Sequence, residues 1–134
     1  MAPLVWPDVE SALIAGCDLM LASAGVSALP TSTDRPAGLN GNRFVQIQAV
    51  TGTDDGLTDR ALVDIDCFAP DRDQARDLAE LVRSWMGGLP GKLAGGVLID
   101  AVATSVRPHW LDFKNPAIQR FAASYRVSTR LVEG

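Results

Sequence analysis

The chain has 134 residues, 47% of them hydrophobic and 21% charged, with a net charge of −4. That length and balance suit one globular domain, spanning 1–134, that buries roughly two thirds of its unfolded surface, and they argue against a disordered tail or a collagen-like repeat. An acidic chain also lacks the basic footprint that sequence-specific DNA binding requires.

The N-terminal segment LMLASAGVSA resembles the apolar part of a signal peptide, but no Lys or Arg precedes Arg35, and Asp8, Glu10 and Asp18 stand where a leader is basic or apolar. No apolar run reaches the roughly 20 residues of a membrane span. The expectation is therefore a soluble protein made in the cytosol, with no membrane partner. Its first element should be a helix from about Pro7 to Ala24. Pro7 suits the first turn, Asp8 and Glu10 favour the positive end, and Val9, Leu13, Cys17, Met20 and Leu21 form one buried stripe. Gly25 stops it, and Val26 to Leu29 reads as a short edge strand. The long loop 30–42, PTSTDRPAGLNGN, follows, rich in turn formers.

Arg43 to Val50 alternates as a half-exposed strand and pairs as a hairpin with the strand that begins at Ala61, leaving an acidic tip at 51–60. Asp54, Asp55 and Asp59 in that tip lack the spacing of a calcium loop, so no metal is expected. The stretch 61–88 holds both periodicities of a layered fold. Ala61, Val63, Ile65, Cys67 and Ala69 alternate with Leu62, Asp64, Asp66 and Phe68, so the strand is covered on one side and exposed on the other. Pro70 ends it. Asp71 and Gln74 then have the spacing of a capping box, Ala75, Leu78, Val82, Trp85 and Met86 form an apolar stripe, and Gly87-Gly88 offers a left-handed stop.

LPGKLAGG at 89–96 reads as a flexible turn. It lacks the Ser or Thr after Lys92 and the upstream glycine spacing of a phosphate loop, so no nucleotide cofactor is expected. Strands follow at Val97 to Val106 and Ile118 to Val132, joined by RPHWLDFKNP, whose Trp110 and Phe113 are expected to fold back over the core. The last strand carries Phe121, Ala123, Tyr125 and Val127 on one side and Arg120, Arg126 and Arg130 on the other. The fold class is α+β: one mixed, largely antiparallel sheet of about four to five strands with two helices on one face, in the order α-β-β-α-β-β.

Chemistry is sparse. The single histidine, His109, lies in a loop with no Gly-x-Ser-x-Gly elbow, so a hydrolase triad is unsupported. Asp64 and Asp66 share a strand face at about 7 Å, where solvated carboxylates are commoner than an acid–base pair. Cys17 and Cys67 both read as buried free thiols. The clearest feature is charge asymmetry: nine acids against three bases over 54–80, and five bases against two acids over 107–134. This allows either a solvated surface with intrachain pairs or a head-to-tail contact between copies.

Taken together, Pro7-Asp8-Val9-Glu10, Arg43-Phe44-Val45-Gln46-Ile47, Val50-Thr51-Gly52, Ala61-Leu62-Val63-Asp64-Ile65-Asp66-Cys67, Asp71-Arg72, Asn115-Pro116, Arg120-Phe121 and Arg126-Val127 resemble the tail terminator proteins of long-tailed bacteriophages, particularly those of actinobacteria. The resemblance spans nearly the whole chain as a pattern of apolar and charged positions. It implies a non-enzymatic virion protein at the head–tail junction, assembled in the host cytoplasm. Such a protein forms a homohexameric ring that caps the tail tube protein, ends its polymerisation and joins the tail to the head connector or head-closure protein. DNA would be met only as non-specific passage through the lumen. On this reading Arg120, Arg126 and Arg130 are candidates for the subunit interface, and Asp54, Asp55, Asp64 and Asp66 for an acidic lumen or partner surface. No catalytic residue is carried over. The alternatives are another neck ring, such as a head-closure protein, and a small ligand-binding or enzymatic α+β domain with a pocket near Trp110.

Overall fold

The computed structural model describes residues 3–134. Helix α1 runs Val9–Ser23 and is capped by Asp8, whose carboxylate accepts from the Ser11 amide at 3.1 Å and the Ser11 hydroxyl at 2.8 Å. Gly25, at φ 70°, turns the chain away, and the Val26 amide reaches back to the Leu21 carbonyl at 2.9 Å. Helix α2 runs Arg72–Gly87. Asp71 caps it as the sequence indicates, but the Gln74 side chain bonds the Asp71 carboxylate at 2.8 Å instead of its amide. Gly88 stays right-handed at φ −91°, so this helix ends by tightening its last turn, and the first left-handed residue after it is Gly91.

The main sheet has the order β2-β3-β7-β6, with β2 at Phe44–Asp54, β3 at Thr58–Ala69, β6 at Ala101–Trp110 and β7 at Gln119–Arg130, every neighbouring pair antiparallel. The α+β expectation of two helices on one face of a largely antiparallel sheet agrees with this architecture. Two small antiparallel pairs are added: β1 (Leu4–Val5) with β8 (Val132–Glu133), from the two ends of the chain, and the hairpin of β4 (Lys92–Ala94) with β5 (Val97–Ile99). The 89–96 segment is thus largely a hairpin. It packs under α1, where Gly95 at φ 52° leaves so little room that an added Cβ would sit 2.6 Å from the Ala12 carbonyl oxygen.

The helix-side face holds the main core, with Leu13 and Cys17 from α1, Leu78 and Val82 from α2, and Val45, Ile47, Val63, Ile65, Tyr125 and Val127 from the sheet. Both cysteines are buried and free, and burial pushes the Cys17 thiol up to about 11. Four local expectations change. The hairpin strands run on to Asp54 and restart at Thr58, so most of the 51–60 tip is a paired arm. Val26 to Leu29 forms no strand; instead Ser32 makes a parallel bridge to Gln46. His109 and Trp110 lie in β6, beyond the expected end at Val106, because the strand absorbs Pro108 with a register shift between Val106 and His109. Phe68, expected on an exposed face, is fully buried there in a second, smaller core with Leu39 and Phe44.

Candidate functional site

The face of the sheet turned away from the helices consists of four clear cross-strand rows. From the arm inward they read Thr53–Arg60–Ser128–Ala101, Thr51–Leu62–Arg126–Ala103, Gln48–Asp64–Ser124–Val106 and Gln46–Asp66–Ala122–His109. The alternation that sends Val63 and Ile65 into the core sends Leu62, Asp64 and Asp66 here. At the base of the face the segments 30–42 and 111–118 fold over Phe44 and Phe68. Phe113 meets Phe68 edge-on at 5.5 Å, and the guanidinium groups of Arg35 and Arg120 lie 4.6 and 5.4 Å from the Phe113 ring centre.

This lid determines the setting of the nearest acid. Asp66 has a side chain 25% exposed and lies 3.8 Å from the Arg120 guanidinium. Burial pushes its carboxyl above the ordinary value, with the Asp64 charge adding to that and Arg120 opposing it. Asp64 accepts a 2.6 Å hydrogen bond from the Ser124 hydroxyl. Asp64 and Asp66 are therefore brought together on one face. Asp54 and Asp55 stand apart at the end of the arm: Asp54 pairs with Asp59, five residues or about 17 Å along β3 from Asp64. Asp55 is used locally, accepting from the Thr58 amide at 2.8 Å and the Leu57 amide at 3.0 Å, which holds its carboxyl below the usual range and displays Leu57, 74% exposed, at the apex.

The three arginines have different surroundings. Arg120 donates to the Asp112 carbonyl at 2.7 Å and is committed to the lid. Arg126 is exposed in the row between Leu62 and Ala103. Arg130 lies at the arm end, where Nη2 and Nε grip the Asp100 carboxylate at 2.6 and 3.1 Å. The sequence pattern does not reveal Asp100 as the partner of Arg130, nor Arg35 as part of the lid, because both join segments far apart in the chain. Trp110 lies on the helix side, with Arg72 4.9 Å above its ring and its indole N–H donating to Gln119 at 2.9 Å.

Among the described residues no group of three or more His, Cys, Asp or Glu is placed to hold a metal ion, and no helix is long and apolar enough to cross a membrane. An open cleft of about 340 Å³ lies between Val26, Arg43 and the Gln74–Leu81 side of α2.

The fold is similar to that of a virion chain. A chain from the virion of a native gene transfer agent (GTA) particle superposes with a TM-score of 0.65 at 14% identity, over 93% of this chain and 99% of that one. No protein-family model and no curated protein sequence matches the chain.

Proposed function

We propose that this protein is a structural component of a tailed-phage virion, a tail terminator acting as one domain over 1–134. It forms a homohexameric ring that caps the tail tube, stops its growth and presents a surface to the head connector or head-closure protein. The observation that carries this reading is the end-to-end likeness to the GTA virion chain, which leaves almost no part of either chain unmatched. The charge layout fits it. Arg126 and Arg130 lie towards the β6 side of the sheet and Asp54 and Asp55 at the arm end of the β2 side, so like-oriented copies offer opposite charge to each other. Asp64 and Asp66 lie on the open face assigned to the lumen, which they share with Arg60 and Arg126. Arg120 contributes by holding the lid. The role is structural, at the head–tail junction, after assembly in the host cytoplasm.

The test is to add the purified protein to polymerising tail tube protein and measure tube lengths by electron microscopy. Shorter tubes with a distinct density at one end are expected. Unaltered tubes, with the protein bound only to connector rings, would replace this reading with a head-closure role.

A further inference from the structure

The outermost strands of the main sheet, β2 and β6, differ in how their free edges are treated. The inner half of β2 is closed by its own chain. The Arg43 carbonyl accepts from Leu29, the Val45 carbonyl from Ser32, and the Ile47 amide donates to Ser32; the Ala49 amide is taken by the Glu10 carboxylate at 2.8 Å. Beyond the register shift at Val50, the Thr51–Asp54 edge has no such cover among the described residues. On the opposite side, no segment among the described residues pairs with the outer edge of β6 along Ala101–Val106, a stretch without a charge. An open, uncharged edge of about 20 Å is a template for another strand, and soluble proteins usually blunt such edges.

The two open stretches lie at the same height. Thr53 is in the row of Ala101, and Thr51 in the row of Ala103. The inner half of β6, where Pro108 supplies no N–H and the register shifts, stands level with the half of β2 that is already covered. Direction also matches. The sheet alternates up and down across β2-β3-β7-β6, so β2 and β6 run opposite ways, and a copy related by rotation about an axis along the strands brings its β2 antiparallel to β6. At the end of this seam the same register brings the neighbour's Asp54 opposite Asp100, whose carboxylate already holds Arg130.

We propose that the Thr51–Asp54 edge of one copy pairs with the Ala101–Val106 edge of the next, so that copies of this chain join by extending one antiparallel sheet from subunit to subunit. The contact is heterologous, and its repetition closes into a ring whose inner wall is the Asp64 and Asp66 face. This rests on the ring reading above and names the seam it uses.

Cysteine pairs test it directly. Ala101→Cys is combined with Thr53→Cys, and separately with Thr51→Cys to allow a two-residue stagger, with mild oxidation of the full chain. Within one chain these sites are three strand spacings apart, about 14 Å, beyond the roughly 7 Å that a disulfide tolerates between Cα atoms. Native Cys17 and Cys67 are buried. The expected result is a non-reducing ladder in multiples of the 14.2 kDa chain for at least one double variant, and monomer for each single variant. A dimer from Ala101→Cys alone would replace the proposal with two-fold pairing of β6. Rings without cross-links, or an uncross-linked monomer at every concentration, would overturn it. Tube capping by a protein that does not cross-link overturns this seam alone, whereas cross-linked ladders that fail to cap tubes keep the seam and overturn the terminator reading.

Discussion

Phe44 and Phe68 stand directly opposite one another on β2 and β3, their rings stacked 6.1 Å apart on the face of the sheet turned away from both helices. They anchor a second core that Leu39 and Phe113 complete, so the sheet is covered on both sides at its base and on one side towards the arm. Truncating Phe68→Ala removes a fully buried ring that touches both neighbouring aromatics, and it should cost about 3–5 kcal/mol in urea unfolding. A loss under about 1 kcal/mol would mean that the lid contributes little to stability.

Asp66 lies beneath the same lid. Its folded carboxyl is raised chiefly by burial, so its contribution to stability is fully present below the unfolded value of 3.8 and is lost as pH rises through the higher folded value. Asp66→Asn should therefore raise the melting temperature at pH 7 while leaving it nearly unchanged at pH 3. A lower melting temperature at pH 7 would show that the Arg120 pairing outweighs the cost of burial.

Gly95 is required by both backbone and space. Its φ of 52° and the 2.6 Å approach to the Ala12 carbonyl leave no position for a side chain. Gly95→Ala should destabilise by at least about 2 kcal/mol. Gly87→Ala, with open space around it, should stabilise α2 slightly, and comparing the two in one melting series checks both.

Tyr125 is fully buried, its hydroxyl has no hydrogen-bond partner among the described residues, and burial pushes it up to about 12. Tyr125→Phe should be neutral or stabilising by up to about 1 kcal/mol. A clear loss would reveal an ordered water on that oxygen.

Arg126 is exposed, whereas Arg130 already holds Asp100, so reversing them tests different things. Arg126→Glu should lower self-association with little change in melting temperature. Arg130→Glu should lower both, the stability only slightly because the pair is largely solvated. Unchanged assembly by light scattering in both variants would remove these arginines from the seam.

Local pattern accounts for much of the fold. Period-two alternation at 61–69 and 121–131 assigns the core face, and the apolar stripes with Asp8 and Asp71 place both helices within about two residues, because these signals act between neighbours in the chain. The same alternation put Phe68 on the open face with Asp64 and Asp66. That assignment of side was right and the exposure was wrong, since what covers Phe68 comes from residues near 39 and 113. Only the tertiary structure decided which edges of the sheet are closed, how far the arm extends, and that Arg120 serves the lid while Arg126 remains exposed. Each depends on pairing between segments well separated in the chain, such as Ser32 with Gln46 or Asp100 with Arg130, and no local periodicity encodes which distant partner a strand edge or a guanidinium will meet.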